Sequence, residues 1–209
     1  MIFKDRKSAG RKLAKELKDY KGRKDCIVIA LPRGGVVLGV EVSQYLNLPL
    51  DLVVPRKIGA PGNSEYAIGA ITEDGERIIN EPEVKNLGIS KEFLEKEIKK
   101  EMKEAQRRIK LYRGKSEKNN LSNKTVILVD DGIATGLTMK AAIKSVKKKG
   151  AKKIIIAVPV SARDSIREIS NTVDNVVCLH APAFFGAVGV FYRQFSQVED
   201  EEVIQMMNK

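Results

Sequence analysis

A chain of 209 residues with 43% hydrophobic content is long enough to bury one sizeable core. No stretch approaches the roughly 18 uninterrupted apolar residues of a membrane span, and the N-terminus MIFKDRKSAGRKLAKELKDY is amphipathic and charged, with no signal-type hydrophobic block. These features predict a cytoplasmic protein with no membrane attachment. The formal net charge of +11 comes mainly from lysines scattered through helical patterns, which reads as solvated helix faces rather than a dedicated polyanion surface.

In chain order, CIVIAL (26–31) has the composition of a buried strand, and GVVLGVEVSQYL after it has helical periodicity. LDLVVP (50–55) and AIGAIT (67–72) read as further strands. From about 80 to 124 no strand is expected. There Ser90 reads as the N-cap of a long helix ending near Gly114. Leu94, Ile98, Met102, Ala105, Ile109 and Tyr112 recur at spacings of three and four, one helix face that should pack on the sheet or on a second subunit. RGKSEKNNLSNK (113–124) reads as a surface loop. TVILVD (125–130) then leads into a helical GLTMKAAIKSVKKKG, followed by KIIIAVPV, a helical ARDSIREIS and NVVCLH. Short continuous apolar strands separated by amphipathic helices predict one α/β domain over 1–209, an open, mostly parallel sheet with helices on both faces and a helical insertion at about 80–124. Cys26 and Cys178 lie in apolar runs without metal-ligand spacing and are expected to be buried, reduced thiols.

Ligands of open α/β sheets bind beyond the carboxyl ends of the strands. At one such end stands VILVDDGIATGLTM (126–139). Free amides at a helix N-terminus, a glycine and the hydroxyls of Thr135 and Thr138 make a phosphate cradle. The Walker pattern is absent. Asp130 and Asp131 would repel a triphosphate tail unless they had other partners, and the vicinal hydroxyls of a ribose are natural ones, because a carboxylate accepts charge-assisted hydrogen bonds from them. The local chemistry suggests a ribose 5-phosphate.

An apolar strand, two acidic residues, two further residues, then Ala-Thr-Gly and a hydroxyl residue resembles the phosphoribosyl pyrophosphate (PRPP) signature of type I phosphoribosyltransferases. The resemblance implies that Asp130 and Asp131 bind the ribose hydroxyls and that Ile133, Ala134, Thr135, Gly136, Leu137 and Thr138 hold the 5-phosphate. It also makes two other loops meaningful. ALPRGGVVLG (30–39) is similar to the family's pyrophosphate loop, with Arg33 and the amides of Gly34 and Gly35 as anion ligands and a non-proline cis peptide common near the arginine. VVPRKIGAPGNSEYAIGAI (53–71) resembles the family's mobile catalytic loop, in which Arg56 and Lys57 end a strand and reach the leaving pyrophosphate. Glu65 is a candidate proton-transfer group near the incoming base. The competing reading of that stretch is an ordinary long hairpin with a basic entry.

The implied reaction displaces magnesium pyrophosphate from C1 of PRPP by a nitrogen nucleophile, with Mg2+ met by Asp130 and Asp131 directly or through water. Ala134 stands where 6-oxopurine enzymes of the family carry an aspartate, which argues against hypoxanthine or guanine as acceptor. A C-terminal segment, about 180–209, is expected to form a small hood. In it CLHAPAFFGAVGVFYRQF (178–195) concentrates aromatic rings, so that Phe184 and Phe185 either stack on a base or pack the segment. His180 reads as structural. The expected partners are PRPP and a nucleobase-like small molecule, in a homo-oligomer such as a dimer. The alternative is a PRPP-sensing regulator that binds nucleic acid, which the absence of a helix-turn-helix pattern or a separate basic domain disfavours.

Overall fold

The computed structural model describes residues 1–114 and 119–208. Five parallel strands form the main sheet: β1 (Cys26–Ala30), β2 (Leu50–Leu52), β6 (Thr125–Val129), β7 (Lys153–Val160) and β8 (Asn175–His180), in the order β2-β1-β6-β7-β8. Every residue of β1 and β6 is buried, as their unbroken apolar composition requires. Successive side chains point to opposite faces. Val28, Ile127 and Val129 therefore pack with α1 (Arg6–Glu16) and α2 (Gly34–Leu46), whereas Ile27, Val126 and Leu128 pack with α5 (Leu137–Lys148) and α6 (Arg163–Ser170).

The chain runs outward from β1 to β2 on one side and from β6 through β7 to β8 on the other. The strand order thus reverses between β1 and β6, and the loops after these two strands lead to helices on opposite faces, leaving a crevice between them.

A second sheet of three antiparallel strands, β3 (Arg56–Ala60), β4 (Asn63–Ile71) and β5 (Arg77–Ile79), corrects two expectations. Arg56 and Lys57 begin a strand rather than end one, and the strand expected at 67–72 starts at Asn63 and lies outside the parallel sheet. The Gly, Pro and Asn content that suggested an open loop serves a tight hairpin instead. A Cβ at Gly59 would lie 2.7 Å from the Cα of Ser64, so the glycine admits the partner strand. Of the run 50–55, only Leu50–Leu52 is strand.

Between β5 and β6 stand α3 (Glu81–Asn86) and α4 (Lys91–Arg113). Ser90 caps α4, accepting from the Phe93 amide at 3.2 Å. The apolar stripe of α4 packs within the chain. Ile98, Leu94 and Met102 meet Ile58 and Ile71 of the small sheet, while Ala105, Ile109 and Tyr112 meet Val36, Leu52 and Val203, the last on α7 (Asp200–Met207). The loop expected at 113–124 falls partly outside the described residues. Beyond β8 the chain passes through a short 3-10 turn, Val188–Phe191, and is stitched to the N-terminal segment by Phe3 N–H to Phe191 O (2.8 Å) and Arg193 N–H to Phe3 O (2.9 Å). Cys26 is buried and Cys178, on the edge strand β8, is half-buried; both are free thiols. Among the described residues no helix is long and apolar enough to cross a membrane.

Candidate functional site at the strand-order reversal

The loop after β1 and the loop after β6 meet at the reversal point. The Pro32–Arg33 peptide is cis, and Arg33 precedes the first turn of α2. A Cβ on Gly34 would collide with the Asp131 carboxylate, and one on Gly35 would lie 2.9 Å from Asp130 Oδ1. Glycine is therefore what lets the first amides of α2, which have no intrahelical acceptor, approach the two acids.

Asp130 and Asp131 follow β6 and are half-buried. Asp130 Oδ1 accepts from the Asp131 amide at 2.8 Å, and Asp131 Oδ2 accepts from Arg6 Nε at 2.8 Å. The Tyr192 hydroxyl donates to the Asp131 carbonyl at 2.6 Å. Burial raises the pKa of both acids. For Asp130 the neighbouring Asp131 charge adds to the rise, whereas for Asp131 the Arg6 guanidinium opposes it.

In the turn that follows, Ile133 is buried and tied to the end of β7 by its amide to Val160 O (3.0 Å) and to the segment beyond it by the Ala162 amide to its carbonyl (2.9 Å). Ala134 and Thr135 are exposed, the Ala134 carbonyl accepts from the Ser165 hydroxyl, and Gly136 caps α5 in a left-handed conformation. Leu137 and Thr138 open α5, whose first amides face the same end of the sheet as the acids.

The expected cations are engaged by carboxylates of the chain. Arg33 Nη1 lies 3.2 Å from Glu199 and 3.5 Å from Asp200, at the start of α7. Arg56 binds Glu101 of α4 at 2.8 Å, and Lys57 Nζ lies 3.2 Å from Glu65. Adjacent residues on a strand face opposite ways. Accordingly Arg56 turns to α4, while Lys57 lines a cavity of about 730 Å³ between the hairpin and the turn after β6, with Glu65, Tyr66, Ala134, Thr135 and Lys140. Phe184 and Phe185 are not brought to this cavity. Phe184 is 93% exposed and Phe185 stacks on Phe191, with ring centroids 5.4 Å apart. His180 lies edge-on to Phe191, its Nε2 3.0 Å from the N-terminal amine; burial first, then that amine and Arg163, lower its pKa.

Sequence reasoning passed over Arg6, Glu101, Glu199 and Asp200, and it saw Tyr192 only as one ring of the aromatic cluster, not as a partner of Asp131. Glu101 had a readable signal, since it stands three residues after Ile98 and four before Ala105, on the apolar face of α4, and is buried. Arg6 had none, because in α1 it is one basic residue among several. Among the described residues no group of three or more His, Cys, Asp or Glu converges as a metal cage. Two adjacent carboxylates, one already held by Arg6, fit a hard cation that takes its remaining ligands from water and from substrate phosphates.

This arrangement of a parallel sheet, a strand-order reversal and a small antiparallel sheet above it is the type I phosphoribosyltransferase fold. The phosphoribosyl transferase domain model matches residues 2–196, and the chain belongs to that family. The protein TT1426 of Thermus thermophilus is 37% identical, with a TM-score of 0.81 over 99% of this chain and 98% of that one. A purine phosphoribosyltransferase of Pyrococcus horikoshii, 21% identical, shares the fold at a TM-score of 0.50 over 91% of this chain and 90% of that one. Two Mycobacterium tuberculosis proteins, provisionally named phosphoribosyl transferases, are 40% identical over 208 residues. The match takes in 100% of this chain and 47% of theirs, so the chain spans about half the length of these curated relatives.

Proposed function

We propose that this chain transfers the 5-phosphoribosyl group of PRPP to a nucleobase or related nitrogen nucleophile, releasing pyrophosphate. The observation that carries the reading is the contact between the two loops: Gly34 and Gly35, amide donors for an anion, lie directly against Asp130 and Asp131, acceptors for sugar hydroxyls. A phosphorylated sugar bearing a pyrophosphate has those two needs side by side.

In this reading the 5-phosphate sits on the first amides of α5 with the Thr135 and Thr138 hydroxyls, the ribose hydroxyls donate to Asp130 and Asp131, and the pyrophosphate lies on Gly34, Gly35 and Arg33. The carboxylates favour positive charge developing on the ribose ring as the bond at C1 breaks, and the amides and Arg33 stabilise the departing anion. Lys57, which lines the cavity with Ala134 and Thr135, is the hairpin cation this reading assigns to that anion. Arg56, bound to Glu101, holds β3 against α4. Glu65, across from Lys57, remains the candidate proton acceptor for an incoming nitrogen. Mg2+, when bound with the substrate, would neutralise pyrophosphate charge, with Asp130 and Asp131 as its protein-side ligands, directly or through water.

The test is to incubate the protein with PRPP, Mg2+ and a panel of nucleobases while following pyrophosphate release. Turnover with at least one base is expected. Asp130→Asn should weaken PRPP binding about 10- to 100-fold, the worth of a lost charge-assisted hydrogen bond. Unchanged affinity would contradict the ribose assignment. Tight PRPP binding with no turnover on any base, together with salt-sensitive nucleic-acid binding released by PRPP, would favour the sensor instead.

A further inference from the structure

We infer that Arg6, in the first turn of α1, is a positioning residue for the Asp131 carboxylate, and that the aromatic segment Tyr192–Phe195 serves this pair. The inference rests on the reading of Asp130 and Asp131 as sugar ligands.

Arg6 and Asp131 are 125 residues apart in sequence, yet the Arg6 side chain is only 11% exposed and is fixed at three points. Its Nε donates to Asp131 Oδ2 at 2.8 Å, its Nη1 donates to the Ser196 carbonyl at 2.7 Å, and its Cζ sits over the Phe195 ring, 3.7 Å from the ring centre. This uses what is particular to a guanidinium: nitrogens donate in the plane while the face stacks on an aromatic ring, which a lysine ammonium cannot reproduce.

The backbone of Asp131 is held as firmly as its side chain. The Tyr192 hydroxyl donates to its carbonyl, and the Tyr192 ring is wedged between Phe195 (4.9 Å) and the fully buried Phe3 (5.5 Å). Gly34 lies against the same carboxylate oxygen that Arg6 binds, and a Cβ there would also come 2.9 Å from Arg6 Nε. The N-terminal and C-terminal segments thus close on one acid and set its direction before any substrate arrives. Fixing a polar ligand in its bound orientation removes an ordering cost from binding. Arg6 also counters one of two adjacent negative charges facing a substrate that is itself a polyanion.

The test is isothermal titration of PRPP, with Mg2+ present, into the wild type, Arg6→Met, Arg6→Lys, Asp131→Asn and the Arg6→Met/Asp131→Asn double variant, with thermal unfolding measured alongside. Arg6→Met should weaken PRPP binding about 10- to 100-fold, the range found when a group that orients a ligating side chain is removed. Arg6→Lys should recover part of the loss, and the double variant should bind no more weakly than Asp131→Asn alone. Unchanged affinity in Arg6→Met would overturn the inference. So would an equal loss in the Asp131→Asn background, because Arg6 would then act on the fold and not through Asp131. Should Arg6→Met fail to fold, Phe195→Leu takes its place: a weaker loss absorbed by Asp131→Asn supports the inference, and an additive one overturns it. Failure of the wild type to bind PRPP would remove the underlying reading instead.

Discussion

The crevice at the strand-order reversal and the β3–β4 hairpin both bear residues assigned to the reaction, but they are built differently. In the crevice, Asp131 is bonded at side chain and carbonyl, Ile133 is tied to Val160 and Ala162 at the end of β7, and Gly34 and Gly35 touch the acids. At the hairpin tip, Pro61–Glu65 are exposed, and the Glu65 and Tyr66 amides donate to Asn63 Oδ1, at 3.2 and 3.3 Å. The base of the same small sheet is anchored again. Lys149, the C-cap of α5, binds Glu73 at 3.0 Å and Asp74 at 2.9 Å, and Ser145 donates to Asp74 at 2.9 Å. The crevice proposed to hold the sugar phosphate is therefore preformed, and it faces a hairpin whose root is fixed and whose tip has few ties. That is the division expected of a site that must admit a polyanion and then exclude water.

Breaking the rigid side should have the largest effect. Gly34→Ala places a methyl against the Asp131 carboxylate, so PRPP affinity should fall by at least about 100-fold, with a stability loss of about 1–3 kcal/mol from overpacking. Titration and denaturant unfolding would check both. Near-normal binding would mean that the loops are less closely coupled than the contact implies.

The root of the small sheet is predicted to be acid-sensitive. Burial alone would raise the pKa of Asp74, but hydrogen bonds from Thr72, Lys149 and Ser145 hold it down to about 2, against 3.8 for an ordinary aspartate. A depressed carboxylate pKa contributes stability above the unfolded value and loses it as pH falls through the folded one. About 2 kcal/mol should thus be present above pH ~4 and disappear between pH ~4 and ~2. Asp74→Asn should flatten the wild-type acid limb across that window in equilibrium unfolding.

The two adjacent cations of β3 sharpen the contrast within one strand. Arg56→Ala leaves Glu101 buried without its partner and should cost about 1–3 kcal/mol in unfolding free energy. Lys57→Ala breaks an exposed pair and should change stability by less than about 0.5 kcal/mol, while lowering kcat/KM about tenfold or more. The reverse pattern would place Arg56 rather than Lys57 on the substrate. Smallest of all, Phe184→Ala removes a ring that is 93% exposed and should alter stability by no more than about 0.5 kcal/mol and leave acceptor affinity unchanged. A loss of acceptor affinity in a kinetic assay would restore its role as a stacking platform.

The parallel sheet was legible because runs such as CIVIAL and TVILVD have no polar face and must be covered on both sides. The acid loop was legible because two adjacent carboxylates at a strand end beside a helix N-terminus call for partners of their own, whereas the Arg33 loop gained meaning only from the resemblance that the acid loop carries. The hairpin was misjudged at its edges. Its glycines, Pro61 and Asn63 carry the composition of a loop, and only the approach of Ser64 to Gly59 reveals a paired strand. The aromatic cluster was visible as composition, but choosing between stacking on a base and packing on Phe191, Tyr192 and Phe3 depends on directions that spacing does not encode. Arg6 was beyond reach for the same reason, because its partner lies across the whole fold.

The most direct test of the account is a crystal structure of this chain with PRPP and Mg2+. The account predicts the 5-phosphate on the first amides of α5, ribose hydroxyls on Asp130 and Asp131, and pyrophosphate against Gly34 and Gly35. A PRPP molecule bound elsewhere, with the Asp130 and Asp131 carboxylates making no contact to sugar or metal, would contradict it.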